Sequence, residues 1–202
     1  MTGKFDIKND FTKYKEAFLE ENLKHNLISK NDEKFLYEKH IYDSLSIKLF
    51  FEKYGNDFKT LLDIGCGGGF PSVPIAIEYP QINVTALDSI RKKIGSIQNI
   101  KSALNIDNLV TVCERAENIQ KQNQKFDIIT SRAVADLSKI CEYALPLLSQ
   151  KGYFIAYKSK KALEEIENAK SVLKKFNSKV VDSIEYSLPL EENYERYLVV
   201  IR

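Results

Sequence analysis

No apolar run in this chain approaches the ~20 residues that a membrane-spanning helix needs. The amino end, MTGKFDIKND, has no apolar signal-peptide core, so nothing marks the chain for export and the expected compartment is the cytoplasm. Cysteine is scarce: Cys66, Cys113 and Cys141 are odd in number and never form C-x-x-C. That spacing argues against a disulfide framework and against a zinc site, and it suits a reducing compartment. Charge of one sign is missing too, since the formal net charge is only +2. A chain this close to neutral does not announce nucleic acid, so the local placement of its lysines matters more than their total. No internal repeat or low-complexity tract interrupts it.

What remains is a chain of 202 residues, 44% hydrophobic and 29% charged, the proportions of one globular domain with a full core. Residues 8–54 read as helices: Phe11, Tyr14, Phe18 and Leu23 recur near helical spacing, and a second pattern runs from about Glu33 to Tyr54. Tyr54-Gly55-Asn56-Asp57 breaks that pattern. Short β-rich runs then follow: TLLDI (60–64), INVTALD (82–88), LVTVC (109–113), FDIITS (126–131) and GYFIAY (152–157). Helical stretches lie between them near 73–79, 91–104, 135–148 and 161–176. Strands apolar throughout, alternating with helices, predict a mainly parallel sheet covered on both faces. KVVDSIEYSL and ERYLVVIR, with only a loop between them, predict an antiparallel pair at the sheet's edge. The expected architecture is a Rossmann-like α/β fold with seven strands. It is one domain over residues 1–202, with residues 1–56 as a helical cap on a core of residues 57–202.

Four of the eight glycines fall within five positions, in LLDIGCGGGFPSVPIA, residues 61–76. The first strand ends at Asp63-Ile64 and Gly65-Cys66-Gly67-Gly68-Gly69 leads into a helix. Ligands of open α/β sheets bind at the carboxyl ends of the strands, and glycines there let the backbone approach closely. The dinucleotide fingerprint G-x-G-x-x-G fails in both registers, because its last position falls on Phe70 or on Ser72. The complete match is D-x-G-x-G-x-G: Asp63, Gly65, Gly67 and Gly69. Asp63 is expected to put a carboxylate beside the loop, where it repels a pyrophosphate. Pro71 and Pro74 remove two N–H groups near the helix start. A nicotinamide dinucleotide is therefore disfavoured, and the cationic, phosphate-free S-adenosylmethionine is the expected cofactor. Asp88 ends the second strand, where an acid accepts hydrogen bonds from ribose hydroxyls. Arg115-Ala116-Glu117 follows the third strand, where backbone groups meet an adenine ring.

The end of the fourth strand reports on the acceptor. Enzymes that methylate exocyclic amines usually carry N/D-P-P-Y/F there, and cytosine-C5 enzymes need a cysteine nucleophile. Here the segment is Ser131-Arg132-Ala133-Val134-Ala135, with neither, and Cys141 lies in the helix beyond. Arg132 stays protonated and cannot act as a base. An acceptor that needs no deprotonation fits best, such as a ring nitrogen with a free lone pair, of which guanine N7 is one. No catalytic base is assigned.

With these residues in view, DIGCGGGFPSVPIAI, VTALDSIRKKI, CERAENI, FDIITSRAVADL and YFIAYKS together resemble a known family. It is the bacterial 16S ribosomal RNA guanine-N7 methyltransferases, also called the glucose-inhibited division protein B family. Asn26-Leu27 and KHIYDS (39–44) extend the resemblance to the amino-terminal helices, so that it covers nearly the whole chain. It implies S-adenosylmethionine-dependent methylation of guanine N7 in the decoding-region loop of 16S RNA. The partner it implies is that RNA or the 30S subunit. It also implies cofactor roles for Gly65, Phe70, Ala116, Glu117 and Arg132, beside Asp88. Where many relatives read N-L-T, this chain has Asn26-Leu27-Ile28-Ser29. It stops at Arg202, where some members carry a basic tail.

For the substrate side, His40, Asp43, Ser44 and Ile47 share one face at helical spacing. They read either as a polar wall beside the target base or as a local network tying cap to core. Lys158, at the end of the fifth strand, is expected to contact phosphate or base on the rim. Cap residues 1–60 hold eleven lysines and eleven acids, so no basic clamp is expected there. Two alternatives on the same fold are a small-molecule methyltransferase and a non-catalytic S-adenosylmethionine-binding ribosome-assembly module. The expected oligomeric state is a monomer, without metal.

Overall fold

The computed structural model describes residues 5, 7–120, 123–190 and 194–202. Apolar runs become the five- to twelve-residue strands of a single sheet. They are β1 (Thr60–Ile64), β2 (Asn83–Asp88), β3 (Leu109–Cys113), β4 (Phe126–Arg132), β5 (Leu148–Ser159), β6 (Val180–Ser187) and β7 (Glu195–Ile201). The order is β3-β2-β1-β4-β5-β7-β6. β1 through β5 run parallel, and β7 lies antiparallel to both β5 and β6. Strand order reverses at β1, which sits between β2 and β4, and that reversal opens a crevice at the strand carboxyl ends.

Helices cover both faces. On one side lie α5 (Ser72–Glu78) and α6 (Arg91–Leu104); on the other, α8 (Leu137–Ala144) and α9 (Ala162–Lys175). A single-turn α7 (Ala116–Ile119) follows β3. The amino-terminal helices are α1 (Thr12–His25), α2 (Lys30–Glu33), a π-helical turn (Leu36–Tyr42), α3 (Asp43–Leu45) and α4 (Ile47–Tyr54). Their apolar side joins the sheet in one continuous core, where Phe18, Phe50 and Ile41 pack in the same cluster as Leu61, Val84 and Ile128.

Three boundaries differ from expectation for physical reasons. The helix expected over 135–148 starts only after Asp136, whose carboxylate caps the Lys139 N–H. It then tightens into a 3-10 turn at Leu145–Leu147, because Pro146 has no N–H to continue an α-helix. β5 is twice as long as GYFIAY, with an irregular register beside Phe126 where Gly152 lets the strands approach. The expected helix from Glu33 to Tyr54 is broken by the π-helical turn, which changes the facing of every residue after Leu36.

Candidate functional site

A cavity of about 500 Å³ opens at the strand carboxyl ends. Its floor is the glycine loop. Gly65, Gly67 and Gly69 all have positive φ (71°, 57° and 92°), which an L side chain tolerates poorly. The N–H groups of Gly65 and Cys66 both donate to the Leu87 carbonyl, pinning the loop to the end of β2. A Cβ on Gly65 would run into the Val134 methyls, and one on Gly68 would press on Leu27 Cβ at 3.2 Å. The loop is thus closed from both sides by neighbours that need hydrogen at those positions.

Asp88 stands at the end of β2 with its carboxylate oriented by backbone. Oδ2 accepts from Gly67 N–H at 3.0 Å and Oδ1 from Ile90 N–H at 2.8 Å. Each oxygen keeps lone-pair capacity toward the cavity that it lines, the acceptor pair that a ribose diol requires. Ala116 and Glu117 line the next stretch of wall, and Glu117 is exposed, its carboxyl held low chiefly by its own backbone N–H. Tyr143, Lys93 and Ser89 complete that end. These residues fit an adenosyl group: a carboxylate for hydroxyls and a glycine floor that admits close approach.

At the other end, Phe70 is buried under the cap. Its ring meets Phe18 at 5.0 Å and His40 at 4.9 Å, and the Arg132 guanidinium lies over it at 5.1 Å. Arg132 is fixed by three bonds. Nη1 donates to the Lys39 carbonyl (3.1 Å) and to Asp43 Oδ2 (2.9 Å), and Nη2 meets His40 Nδ1 at 3.0 Å. Guanidinium has no acceptor, so His40 Nδ1 must accept and the ring proton sits on Nε2. Burial, seconded by the Arg132 charge, pushes the His40 pKa down to about 4 and keeps the ring neutral. Its Nε2 is buried with no hydrogen-bond partner among the described residues.

Several expected roles are redirected. Asp63 does not face a ligand: it is fully buried, and it accepts from the Ser72 N–H at 3.2 Å and the Thr130 hydroxyl at 3.0 Å. The protein's own carboxylate thereby occupies the start of α5, where a pyrophosphate would have sat. Asp43 has no oxygen free to meet a base. Both its oxygens are taken, by Arg132, by Arg196 (3.1 and 3.2 Å) and by the Tyr186 hydroxyl (2.6 Å). Burial pushes its carboxyl upward, but the charges of Arg196 and Arg132 outweigh that and hold it below the ordinary range. Ser44 is fully buried and donates to the His40 carbonyl. Of the two readings given for this cluster, the network tying cap to core describes Asp43 and Ser44. Lys158 points away from the cavity, donating to the Ala135 carbonyl (2.9 Å) and to Glu165 (2.6 Å). It fastens the loop after β4, because a mostly buried ammonium needs those partners more than it needs solvent.

Sequence reasoning assigned no role to Leu27, Ile28, Tyr143, Tyr186 or Arg196. Leu27 and Ile28 had a signal, since they follow Asn26, which ends α1 in the left-handed conformation. Tyr186 and Arg196 had none, being 143 and 153 positions from Asp43. Among the described residues no group of three His, Cys, Asp or Glu is arranged to hold a metal, and no helix is long and apolar enough to cross a membrane.

Comparison with known proteins sets this geometry in context. The chain is 39% identical over 196 residues to the ribosomal RNA small subunit methyltransferase G of Staphylococcus saprophyticus, covering 96% of this chain and 81% of that protein. With the protein of the same name from Bacillus licheniformis the identity is 38% over 198 residues, covering 95% and 80%. In three dimensions it resembles an O-methyltransferase from Bacillus cereus in complex with SAH (TM-score 0.63, 15% identity, 96% of this chain and 92% of that one). It also resembles M. jannaschii TYW2 in complex with AdoMet (TM-score 0.59, 15% identity, 79% and 74%). At such low identity these two establish the fold alone. The GidB family, described as rRNA small subunit methyltransferase G, matches residues 7–191, and the chain belongs to it.

Proposed function

We propose that this protein transfers the methyl group of S-adenosylmethionine to N7 of a guanine in the decoding-region loop of 16S ribosomal RNA. Family membership carries the enzyme class, an S-adenosylmethionine-dependent rRNA methyltransferase. The observation that supports the reading most directly is the span of the match: every residue lining the cavity, from Leu27 to Tyr143, lies within residues 7–191. We assign Gly65, Phe70, Asp88, Ala116, Glu117 and Arg132 to the cofactor and His40 to the substrate side. The cap and core work as one domain, as a monomer in the cytoplasm.

The bound cofactor supplies an electrophilic methyl on a cationic sulfur. An acceptor nitrogen with a free lone pair would ask no residue of the chain to take a proton. The chain's task is therefore alignment and exclusion of water. Asp88 holds the ribose end. The Phe70–Arg132 stack closes the opposite end, and the neutral His40 orients that guanidinium. Neither an obligate base nor a nucleophile is needed, consistent with a β4 that ends in Ser131 and Arg132.

The test supplies methyl-labelled cofactor to unmodified 30S subunits, naked 16S RNA and small-molecule pools. Label in N7-methylguanine of the RNA supports the reading; label recovered only in small molecules replaces it with a small-molecule methyltransferase.

A further inference from the structure

A second hollow, of about 270 Å³, adjoins the first and shares His40, Arg132 and Ala133 with it. A methyl donor seated in the larger cavity can react only with an atom within bonding reach, and a group held in the smaller hollow lies along the wall that the two share. Ala133 turns the chain there with φ 55°, the left-handed region that a non-glycine residue seldom occupies. Backbone held in that state clusters at functional sites.

The chemistry of the hollow selects its guest. Its three cations face two carboxylates, which leaves a single net positive charge: Lys39 pairs with Asp32 at 2.9 Å, and Arg132 and Arg196 both pair with Asp43. That arrangement gives little net pull on a phosphate. Leu188 and the Tyr194 ring, 41% exposed, add flat apolar surface. Flat apolar surface beside paired polar groups suits a heteroaromatic ring with a polar edge. The shared wall also has donors to spare. Arg132 spends only part of its guanidinium on Lys39, Asp43 and His40, whereas His40 Nε2 is buried behind that wall. Spare donors call for an acceptor. The N7 edge of guanine carries a carbonyl oxygen beside the ring nitrogen, whereas adenine puts an amino group there.

We propose that this hollow is the acceptor subsite. A guanine turned out of the RNA strand enters it, stacks on Tyr194 and gives its O6 to the unspent N–H groups of Arg132, leaving the N7 lone pair free for the methyl. This rests on the function proposed above and names the residues that read the base.

The experiment measures methyl transfer to 16S RNA by the intact protein and by Tyr194→Ala and Tyr194→Phe, with cofactor affinity followed by calorimetry. Loss of the stacking ring is expected to raise KM for RNA about tenfold or more, with Phe restoring it to within about twofold and cofactor affinity unchanged. A Tyr194→Ala protein with the wild-type KM overturns the subsite. As a readout independent of that variant, guanosine monophosphate is soaked into crystals holding S-adenosylhomocysteine. Its base beside Tyr194 and Arg132 supports the subsite, and its base lodged elsewhere overturns it. A wild-type protein that labels no RNA removes the underlying function itself, which the control lane shows before any variant is compared.

Discussion

Arg132, on the last residue of β4, and Asp43, on the helical segment ahead of the sheet, stand 89 positions apart and meet at 2.9 Å. Asp43 is only 1% exposed at its side chain and also holds Arg196. One buried carboxylate thus joins the cap, the fourth strand and the last strand, and fixes the guanidinium that walls the cavity.

Removing that carboxylate strands two cations in a mostly buried site. Asp43→Ala is expected to cost about 3–5 kcal/mol of stability, read from the midpoint of a urea transition. A loss below about 1 kcal/mol would show that water or another group takes its place.

The glycines of the loop differ in what they tolerate. Gly67→Ala meets nothing nearer than 4.0 Å and bears only the left-handed backbone, a cost of about 1–2 kcal/mol. Gly65→Ala adds a collision with Val134, so it should lose clearly more stability and cofactor affinity. Val134→Ala should restore part of the Gly65→Ala loss and none of the Gly67→Ala loss. Equal behaviour of the two glycine variants would refute the close packing described.

Asp88→Ala removes the carboxylate that we assign to the ribose and leaves two backbone N–H groups without their acceptor. Charge-assisted bonds of this kind are worth about 1.5–3 kcal/mol, so calorimetry should show cofactor affinity falling by roughly ten- to a hundredfold. Unchanged affinity would take Asp88 out of the site.

Burial pushes the Asp63 carboxyl from 3.8 up to about 6 against the pull of its Thr130 and Ser72 bonds. The folded chain therefore holds this proton more tightly than the unfolded chain. The resulting stability is fully present below 3.8 and is lost as pH rises through 6. His40, lowered from 6.5 to about 4, works in the opposite sense: its contribution is present above 6.5 and disappears as pH falls through 4. The two slopes oppose each other in the wild type. Asp63→Asn keeps an acceptor for Ser72 without the titration, so it should gain about 2–3 kcal/mol on the wild type between 3.8 and about 6. Parallel stability curves for the two proteins would contradict the buried, raised carboxyl.

Lys158→Met distinguishes a tether from a phosphate contact. A lysine on phosphate contributes about one counterion to the salt dependence of RNA affinity. With its ammonium spent on Ala135 and Glu165, the slope should stay at its wild-type value while kcat falls as the loop after β4 loosens. A slope reduced by about one would return Lys158 to the RNA.

Much of this was legible because it is local. TLLDI, LVTVC and the helix over 91–104 have the expected limits, each an apolar pattern bounded by turn residues. The glycine loop and Asp88 announced a site because backbone freedom and a strand-end acid are properties of short segments. What stayed hidden depends on distant partners. Lys158 reads as a rim lysine until Glu165 and the Ala135 carbonyl are seen beside it, and Asp63 reads as a loop acid until Ser72 and Thr130 turn it inward. The π-helical turn interrupts the regular period, yet His40 and Asp43 still meet the same Arg132 guanidinium, while Ser44 turns back to the His40 carbonyl.

β7 threads between β5 and β6, and it carries Arg196 to its place. A chain cut before β7 would leave Asp43 with one arginine instead of two, so the anchor of the Arg132 wall depends on the last strand of the sheet.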